Sequence, residues 1–93
     1  FTKTLAQEVA ENNIRVISVA PGAIKTPINR DVWGNPDSLA DLLKKVAMPS
    51  LGEVSDIGSV VAFLCSDLAS YVTGITVPVD GGMLLYPDFK HGG

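Results

Sequence analysis

The sequence predicts an α/β fold built on a parallel sheet, and three observations support this prediction. Residues 14–20 form a strand-like run with apolar side chains on both faces, which is typical of a parallel strand covered by helices on each side. A helix-like pattern precedes this run, and another, at 55–69, precedes a second strand-like run at 74–80. Helices that alternate with strands are the pattern of βαβ units. We therefore predict two strands and about three helices.

The composition narrows the function classes. The chain has 93 residues, 46% of them hydrophobic and 18% charged, which indicates one small globular domain at most. The net charge is −3 and the seven Lys and Arg are scattered, so we expect no binding to nucleic acid or to a membrane. No spacing of ligand side chains indicates a metal site. The single cysteine, Cys65, fits a reducing compartment, and we expect a cytoplasmic protein.

Residues 1–12 predict an amphipathic helix, because Phe1, Leu5 and Val9 recur at helical spacing. We expect this helix to stop near Asn13, since Asn tolerates the left-handed conformation. The chain opens inside the helical pattern, without Met and without a capping residue. We therefore expect it to be part of a longer protein, an unrecorded start or tag being the less favoured alternative.

The stretch Ala-Pro-Gly-Ala-Ile-Lys-Thr-Pro, residues 20–27, ends the first strand abruptly. In an open parallel sheet, ligands bind at the carboxyl ends of the strands. Gly22 lets the backbone approach a ligand closely, because it carries no Cβ. Thr26 before Pro27 predicts a helix start whose free amides suit a phosphate or a carboxamide oxygen. On these residues alone, a turn without any ligand remains the alternative.

The next segment, residues 27–50, predicts a functional loop rather than a linker, because it is long and irregular. We predict a short helix at 38–46 and place Trp33 at the tip of the loop. The helix at 55–69 has Glu53 or Ser55 as its candidate cap.

The end of the chain carries a strand and a turn. Cys65, at the margin of the preceding helix, is expected to have a packing role rather than a reactive thiol. Pro78 predicts an edge strand or an outward-facing position, because proline cannot donate to a sheet ladder. Asp80 followed by two glycines predicts a turn.

The runs IRVISVAPGAIKTPI and GEVSDIGSVVAFLCSDLASYVTGITVPVDGGM resemble, in this order, the C-terminal part of a short-chain dehydrogenase/reductase. The resemblance covers essentially the whole chain. It implies that residues 1–93 are the C-terminal segment of a single dinucleotide-binding domain, part of a doubly wound, Rossmann-type parallel sheet. It also implies a homotetramer, with helix 1–12 in one contact and residues 55–69 and 74–80 in another.

The runs GAIKTPIN and DGGMLLYPDFK further resemble the bacterial glucose 1-dehydrogenases within that family. This implies an oxidoreductase that uses NAD or NADP and a small sugar or alcohol, such as glucose oxidised at C1. Another short-chain reductase, such as an oxoacyl reductase, is one alternative. A catalytically inactive segment that only self-associates is the other, because two strands cannot cover their own faces.

The same resemblance implies roles for particular residues. Those matching Pro21 and Gly22 line the nicotinamide end of the cofactor, and the one matching Ile24 contacts the carboxamide through its backbone. The residue matching Thr26 bonds the carboxamide or the pyrophosphate. Asn29 is expected where a sugar hydroxyl of the substrate is met.

The catalytic Ser, Tyr and Lys of the family and its glycine-rich phosphate loop would precede Phe1, so we predict no catalytic residue here and an inactive isolated chain. Tyr86 and Lys90 have the spacing of the catalytic pair, but Pro87 pushes Tyr86 out of helical geometry. We interpret them as a packed tyrosine and a solvated lysine. Residues 27–50 would be the mobile loop that closes over the substrate.

Overall fold

The structure, a computed structural model, describes residues 1–85. The prediction about Tyr86 and Lys90 lies outside these residues. The helices and strands are α1 (Thr2–Val9), β1 (Ser18–Pro21), α2 (Arg30–Trp33), α3 (Pro36–Leu43), α4 (Val54–Cys65) and β2 (Thr76–Val79). Short 3₁₀ turns occupy Ala10–Asn12, Pro27–Asn29, Asp67–Ala69 and Met83–Leu85. The predicted α/β fold with a parallel strand pair is confirmed.

The two strands pair in parallel, with Ser18 opposite Thr76 and Pro21 opposite Val79. Both are shorter than predicted. Within residues 1–85, β1 has only β2 as a neighbour, so its regular ladder extends only as far as β2 does.

The ladder becomes irregular before β1. Gly74 adopts a left-handed φ of 75°, which turns the chain just ahead of β2. The Gly74 N–H still donates to the Val16 carbonyl at 2.8 Å. The Val16 N–H, however, donates to the Thr73 hydroxyl at 3.0 Å rather than to a backbone carbonyl. A side chain therefore replaces the strand partner where we had predicted regular strand.

Helix α1 ends at Val9, and the helical region as a whole stops at Asn13, as predicted. A 3₁₀ turn follows it, and Asn13 has a left-handed φ of 62°. The Asn13 N–H donates to the Ala10 carbonyl at 2.9 Å. The Thr2 and Ser18 hydroxyl groups share a hydrogen bond that joins α1 to β1, and Ala6 is buried on the inner face of the helix.

Helix α4 starts at a capping pair and stops earlier than predicted. Glu53 is the N-cap rather than Ser55, and its N–H donates to the Asp56 carboxylate at 2.7 Å. At the other end Ser66 is extended, and its hydroxyl donates to the Phe63 carbonyl at 2.6 Å. The prediction of helix through residue 69 is wrong, because this local side-chain bond ends the helix.

Two further expectations are corrected. The predicted helix at 38–46 is α3, which begins at Pro36 because the Asn35 side chain accepts from the N–H groups of Asp37 and Ser38. Cys65 is exposed within the described part of the chain rather than packed.

Few apolar residues within 1–85 are buried, and they come from α1, α4, the chain between α3 and α4, and the turn after α4. They are Ala6, Val46, Leu51, Leu64 and Ala69. Many large apolar side chains are exposed, among them Phe63 at 48% and Tyr71 at 101%. None of the helices in residues 1–85 has the length and apolar character needed to cross a membrane.

Candidate functional site

Residues 21–29, which we call the post-strand segment, leave the carboxyl end of β1. The Gly22 N–H donates to the Val79 carbonyl at 3.0 Å, so pairing with β2 continues one residue past the strand. A Cβ on Gly22 would lie 2.5 Å from the Asp80 Cβ and 2.6 Å from its Cα. The close approach of Asp80 therefore requires glycine at position 22, independently of any ligand.

The segment next pairs with the chain ahead of α4. The Gly52 N–H donates to the Ala23 carbonyl at 3.0 Å, and the Lys25 N–H donates to the Gly52 carbonyl at 2.9 Å. This parallel bridge sets Ile24 against Gly52. In such pairing the polar groups of successive residues point to opposite edges. The N–H and carbonyl of Ile24 therefore face away from Gly52.

The Asn29 side chain occupies that opposite edge. Its Nδ2 donates to the Ile24 carbonyl at 2.9 Å. Its Oδ1 accepts from the Thr26 N–H at 2.9 Å and from the Thr26 hydroxyl at 2.9 Å. The Ile24 N–H makes no hydrogen bond to any residue within 1–85. This edge therefore keeps one open donor beside a hydroxyl held in place.

The helical start predicted at Thr26 is confirmed. Thr26 is extended, with φ −135° and ψ 160°, and Pro27 opens a 3₁₀ turn that Thr26 and Asn29 close as a capping box. The turn leads directly into α2. Thr26 therefore has the conformation of an N-cap, as its place before a proline indicated.

Trp33 anchors the segment from α2, whereas we had expected it at a loop tip. Its Nε1 donates to the Thr26 carbonyl at 2.8 Å. The Lys25 Nζ lies 5.4 Å and the Arg30 Cζ 5.6 Å from the centre of its ring. The Lys25 Nζ also lies 3.9 Å from the Glu53 carboxylate. The segment is thus tied to α2 and to the start of α4.

The structure brings only some of the predicted site residues into contact. Ile24, Thr26 and Asn29 form one hydrogen-bonded group of half-buried residues. Pro21 and Gly22 lie apart from it, at the end of β1, and Pro21 is exposed. Their cofactor contacts, and the substrate contact of Asn29, stay predictions.

Sequence reasoning missed two partners of this group, Gly52 and Trp33. A buried tryptophan usually finds an acceptor for its N–H, which was a usable signal for Trp33. We find no sequence signal for Gly52, whose added Cβ would lie 2.5 Å from the Ile24 Cδ1.

A mostly apolar cavity of about 320 Å³ adjoins the group. Of the five predicted residues it touches Ile24 alone, and its walls include Val46, Leu51 and Val79. It contains none of the hydrogen-bonding atoms of Thr26 or Asn29. The polar chemistry therefore lies on the edge of the post-strand segment, not in this cavity.

The chain is similar to curated enzymes along its whole length. It is 48% identical over 92 residues to 3beta-hydroxysteroid dehydrogenase 1 of Eggerthella lenta, covering 99% of this chain and 35% of the relative. It is 42% identical over 91 residues to glucose 1-dehydrogenase of Gluconobacter oxydans, covering 98% of this chain and 34% of the relative. The chain therefore spans about a third of the length of these relatives.

Solved structures show the same fold. A 4-hydroxyisoleucine dehydrogenase complexed with NADH matches with a TM-score of 0.86 and 32% identity, over 90% of this chain and 35% of that one. A protein from Agrobacterium tumefaciens, described as a 2-deoxy-D-gluconate 3-dehydrogenase with bound NADP, matches with a TM-score of 0.83 and 34% identity. That match covers 90% of this chain and 34% of the other.

A family model described as enoyl-(acyl carrier protein) reductase matches residues 1–84. The curated relatives above are dehydrogenases that match this chain in sequence, and the solved dehydrogenase matches it in fold as well. The chain therefore belongs to this family of short-chain dehydrogenases/reductases.

Proposed function

We propose that the chain is the C-terminal segment of an NAD(P)-dependent oxidoreductase, in which the post-strand segment forms the wall of the nicotinamide pocket. One observation carries the proposal. At the carboxyl end of a parallel strand, the open Ile24 N–H lies on the same edge as Thr26, which is held at the start of a helical turn. This is the place where open α/β sheets bind ligands. Relatives of the same fold were solved with NADH or NADP, which supports the cofactor class.

The proposed reaction is oxidation of a sugar such as glucose at C1. When bound, NAD(P)⁺ would supply the hydride acceptor for this oxidation, Ile24 and Thr26 would hold its nicotinamide, and a general base of the complete protein would take the hydroxyl proton. The similarity to a glucose 1-dehydrogenase supports this substrate class. Higher identity to a 3beta-hydroxysteroid dehydrogenase favours a hydroxysteroid as the second candidate.

Residues 27–50, which hold α2 and α3, are the proposed substrate loop, and Pro21 and Gly22 the proposed floor beneath the nicotinamide. We further propose a cytoplasmic homotetramer. Its support is the exposed apolar surface of α4, where Val61 is 39% and Phe63 48% exposed, because such faces are buried in stable assemblies.

The proposal is tested on the complete protein that contains this chain. Titration with NADH and with NADPH is expected to give saturable binding of at least one of them. Thr26→Val is expected to weaken that binding, and Thr4→Val, which changes an exposed threonine of α1, is expected to leave it unchanged. Absence of binding by both cofactors contradicts the proposal.

Substrate class is decided by following cofactor reduction with glucose and with a 3beta-hydroxysteroid. Reduction with glucose supports the first candidate. Cofactor reduction with the steroid but not with glucose supports the second candidate, and it does not contradict the proposed cofactor site.

A further inference from the structure

We propose that Asn29 is a positioning residue that makes the Thr26 hydroxyl a hydrogen-bond acceptor for the amide NH₂ of the nicotinamide. The inference rests on the proposed cofactor site and deepens it. Of the two contacts that the resemblance implies for Thr26, carboxamide or pyrophosphate, it takes the first, and the new element is the part of Asn29. It also gives Asn29 a role through Thr26 rather than through direct contact with a substrate.

The orientation of the Asn29 amide is settled by two backbone groups. The Ile24 carbonyl can only accept and the Thr26 N–H can only donate. Nδ2 lies 2.9 Å from the first and Oδ1 lies 2.9 Å from the second. A flipped amide would place its NH₂ against an N–H and its oxygen against a carbonyl, so only the observed orientation makes both bonds.

The orientation of the Thr26 hydroxyl follows from that of the amide. Its Oγ1 lies 2.9 Å from the Asn29 Oδ1, and an amide oxygen can only accept. The hydroxyl proton is therefore directed at Asn29. A hydroxyl has one proton and two lone pairs, so what Thr26 can offer an incoming group is an acceptor.

The same edge carries a complementary donor. The Ile24 N–H makes no bond within residues 1–85 and lies two positions before Thr26 on an extended stretch of chain. A primary carboxamide presents one carbonyl and one NH₂ group, and it pairs with a donor and an acceptor set side by side. A phosphate offers only acceptors at neutral pH, and it would have to take the Thr26 proton away from Asn29. The polarity of the edge therefore favours the carboxamide.

Thr26 is held at three of its polar atoms. Its N–H and hydroxyl bond to Asn29, and its carbonyl accepts from the Trp33 Nε1 at 2.8 Å. Such a group binds without a further ordering cost, because the geometry is set before the ligand arrives. The Asn29 side chain, in turn, keeps only one N–H for any other ligand.

The test compares two cofactors on the complete protein. The dissociation constant of NADH, or of NADPH if that form binds, is measured beside that of its 3-acetylpyridine analogue, in which a methyl group replaces the amide NH₂. We expect wild type to bind the analogue about tenfold more weakly, the effect of one buried acceptor left without a donor. Thr26→Val is expected to bind both about equally, and Thr26→Ser to keep the preference.

The Asn29 variants separate positioning from mere support of the fold. Asn29→Ala is expected to reduce the preference to about twofold or less, because the freed hydroxyl can then turn its proton outward. Asn29→Asp keeps an acceptor for Thr26 and is expected to restore the preference. The matched control is Asn12→Ala, which changes an exposed asparagine of the turn after α1 and no contact of Thr26, and which is expected to keep the preference.

The outcomes are distinct. If wild type binds neither natural cofactor, the proposed function itself fails. If wild type binds NADH or NADPH and its analogue equally, the proposal that the Thr26 hydroxyl accepts from the amide NH₂ is overturned. If Asn29→Ala weakens both ligands by the same factor, as a purely structural residue would, the positioning role is overturned.

Discussion

The post-strand segment and helix α4 are held by different forces. In the segment, the Ile24 carbonyl, the Lys25 N–H and both polar backbone groups of Thr26 bond to side chains or backbone of residues outside β1 and β2. In α4, the Leu64 carbonyl at the last turn accepts a long-range bond from the Arg15 Nη1 at 2.7 Å, and of the helix residues only Leu64 is buried. Hydrogen bonds are directional and define individual atoms. Apolar burial is non-directional and scales with area.

The two regions therefore differ in how fully their geometry is defined by residues 1–85. The segment has its geometry defined within residues 1–85, down to the orientation of one hydroxyl group. The exposed apolar surface of α4 leaves the placement of that helix dependent on further packing. The proposed cofactor edge is thus the better defined part of the molecule, and four substitutions test whether it is.

The largest effect is expected from Gly22→Ala. The new Cβ would meet the Asp80 Cβ at 2.5 Å, and the backbone there must shift. We expect a loss of roughly 1–3 kcal/mol in the free energy of unfolding, as for overpacking in a core. Chemical denaturation of the complete protein measures it. Unchanged stability would show that the end of β1 is looser than the structure indicates.

A smaller effect is expected from Trp33→Phe. This change keeps an aromatic ring near Lys25 and Arg30 but removes the bond from Nε1 to the Thr26 carbonyl. We expect a loss of about 1 kcal/mol, the typical net value of one hydrogen bond. Thermal unfolding checks it, with Trp33→Leu as the variant that also removes the ring. If Trp33→Phe lost as much as Trp33→Leu, the hydrogen bond rather than the ring would account for the whole loss.

Gly58→Ala is expected to act in the opposite direction. Gly58 lies within α4, and an added Cβ would meet no atom within 4 Å in the described part of the chain. We expect a gain of about 0.5–1 kcal/mol, because alanine loses less backbone entropy in a helix. Denaturation measured beside Gly22→Ala gives the contrast directly. A loss would show that this face of α4 is covered in the complete protein.

The smallest effect is expected from Lys25→Met. The change removes a 3.9 Å ion pair with Glu53, whose partners are 41% and 61% exposed, and a contact with the Trp33 ring. Surface pairs of this kind contribute about 0.5 kcal/mol or less. The difference from wild type should shrink as salt is added during denaturation. A loss as large as that of Trp33→Phe would mean that the cation, not the hydrogen bond, anchors the segment.

Prediction from sequence succeeded where the signal was local. Asn13, with its left-handed φ, ended the 3₁₀ turn that continues α1, and Thr26 before Pro27 marked a helix start. The turn at Asp80 also formed, with the Asp80 Oδ1 accepting from the Gly82 N–H at 2.9 Å. Each of these depends on atoms only a few residues apart. Ser66 is the local exception, because its ending of α4 was not predicted. A serine that ends a helix cannot be told by sequence from a serine inside one.

Prediction was incomplete where distant segments meet. The pairing of Ile24 with Gly52 and the contact of Gly22 with Asp80 join parts of the chain that are far apart in sequence. Asn29 was assigned to a substrate from family resemblance, and its two bonds to Thr26 and one to Ile24 became visible only in three dimensions. No local pattern specifies which backbone groups a side chain will meet.

The sequence by itself determined the alternation of helix and strand, the parallel character of the pair and the abrupt end of β1 at Pro21. These follow from backbone propensity and from the period of apolar side chains, which each residue carries wherever it lies. Only the tertiary structure decided that Asn29 directs the Thr26 proton inward and that Ile24 keeps an open N–H. Hydrogen-bond polarity is a property of paired groups, so it is defined only once both partners have been brought together.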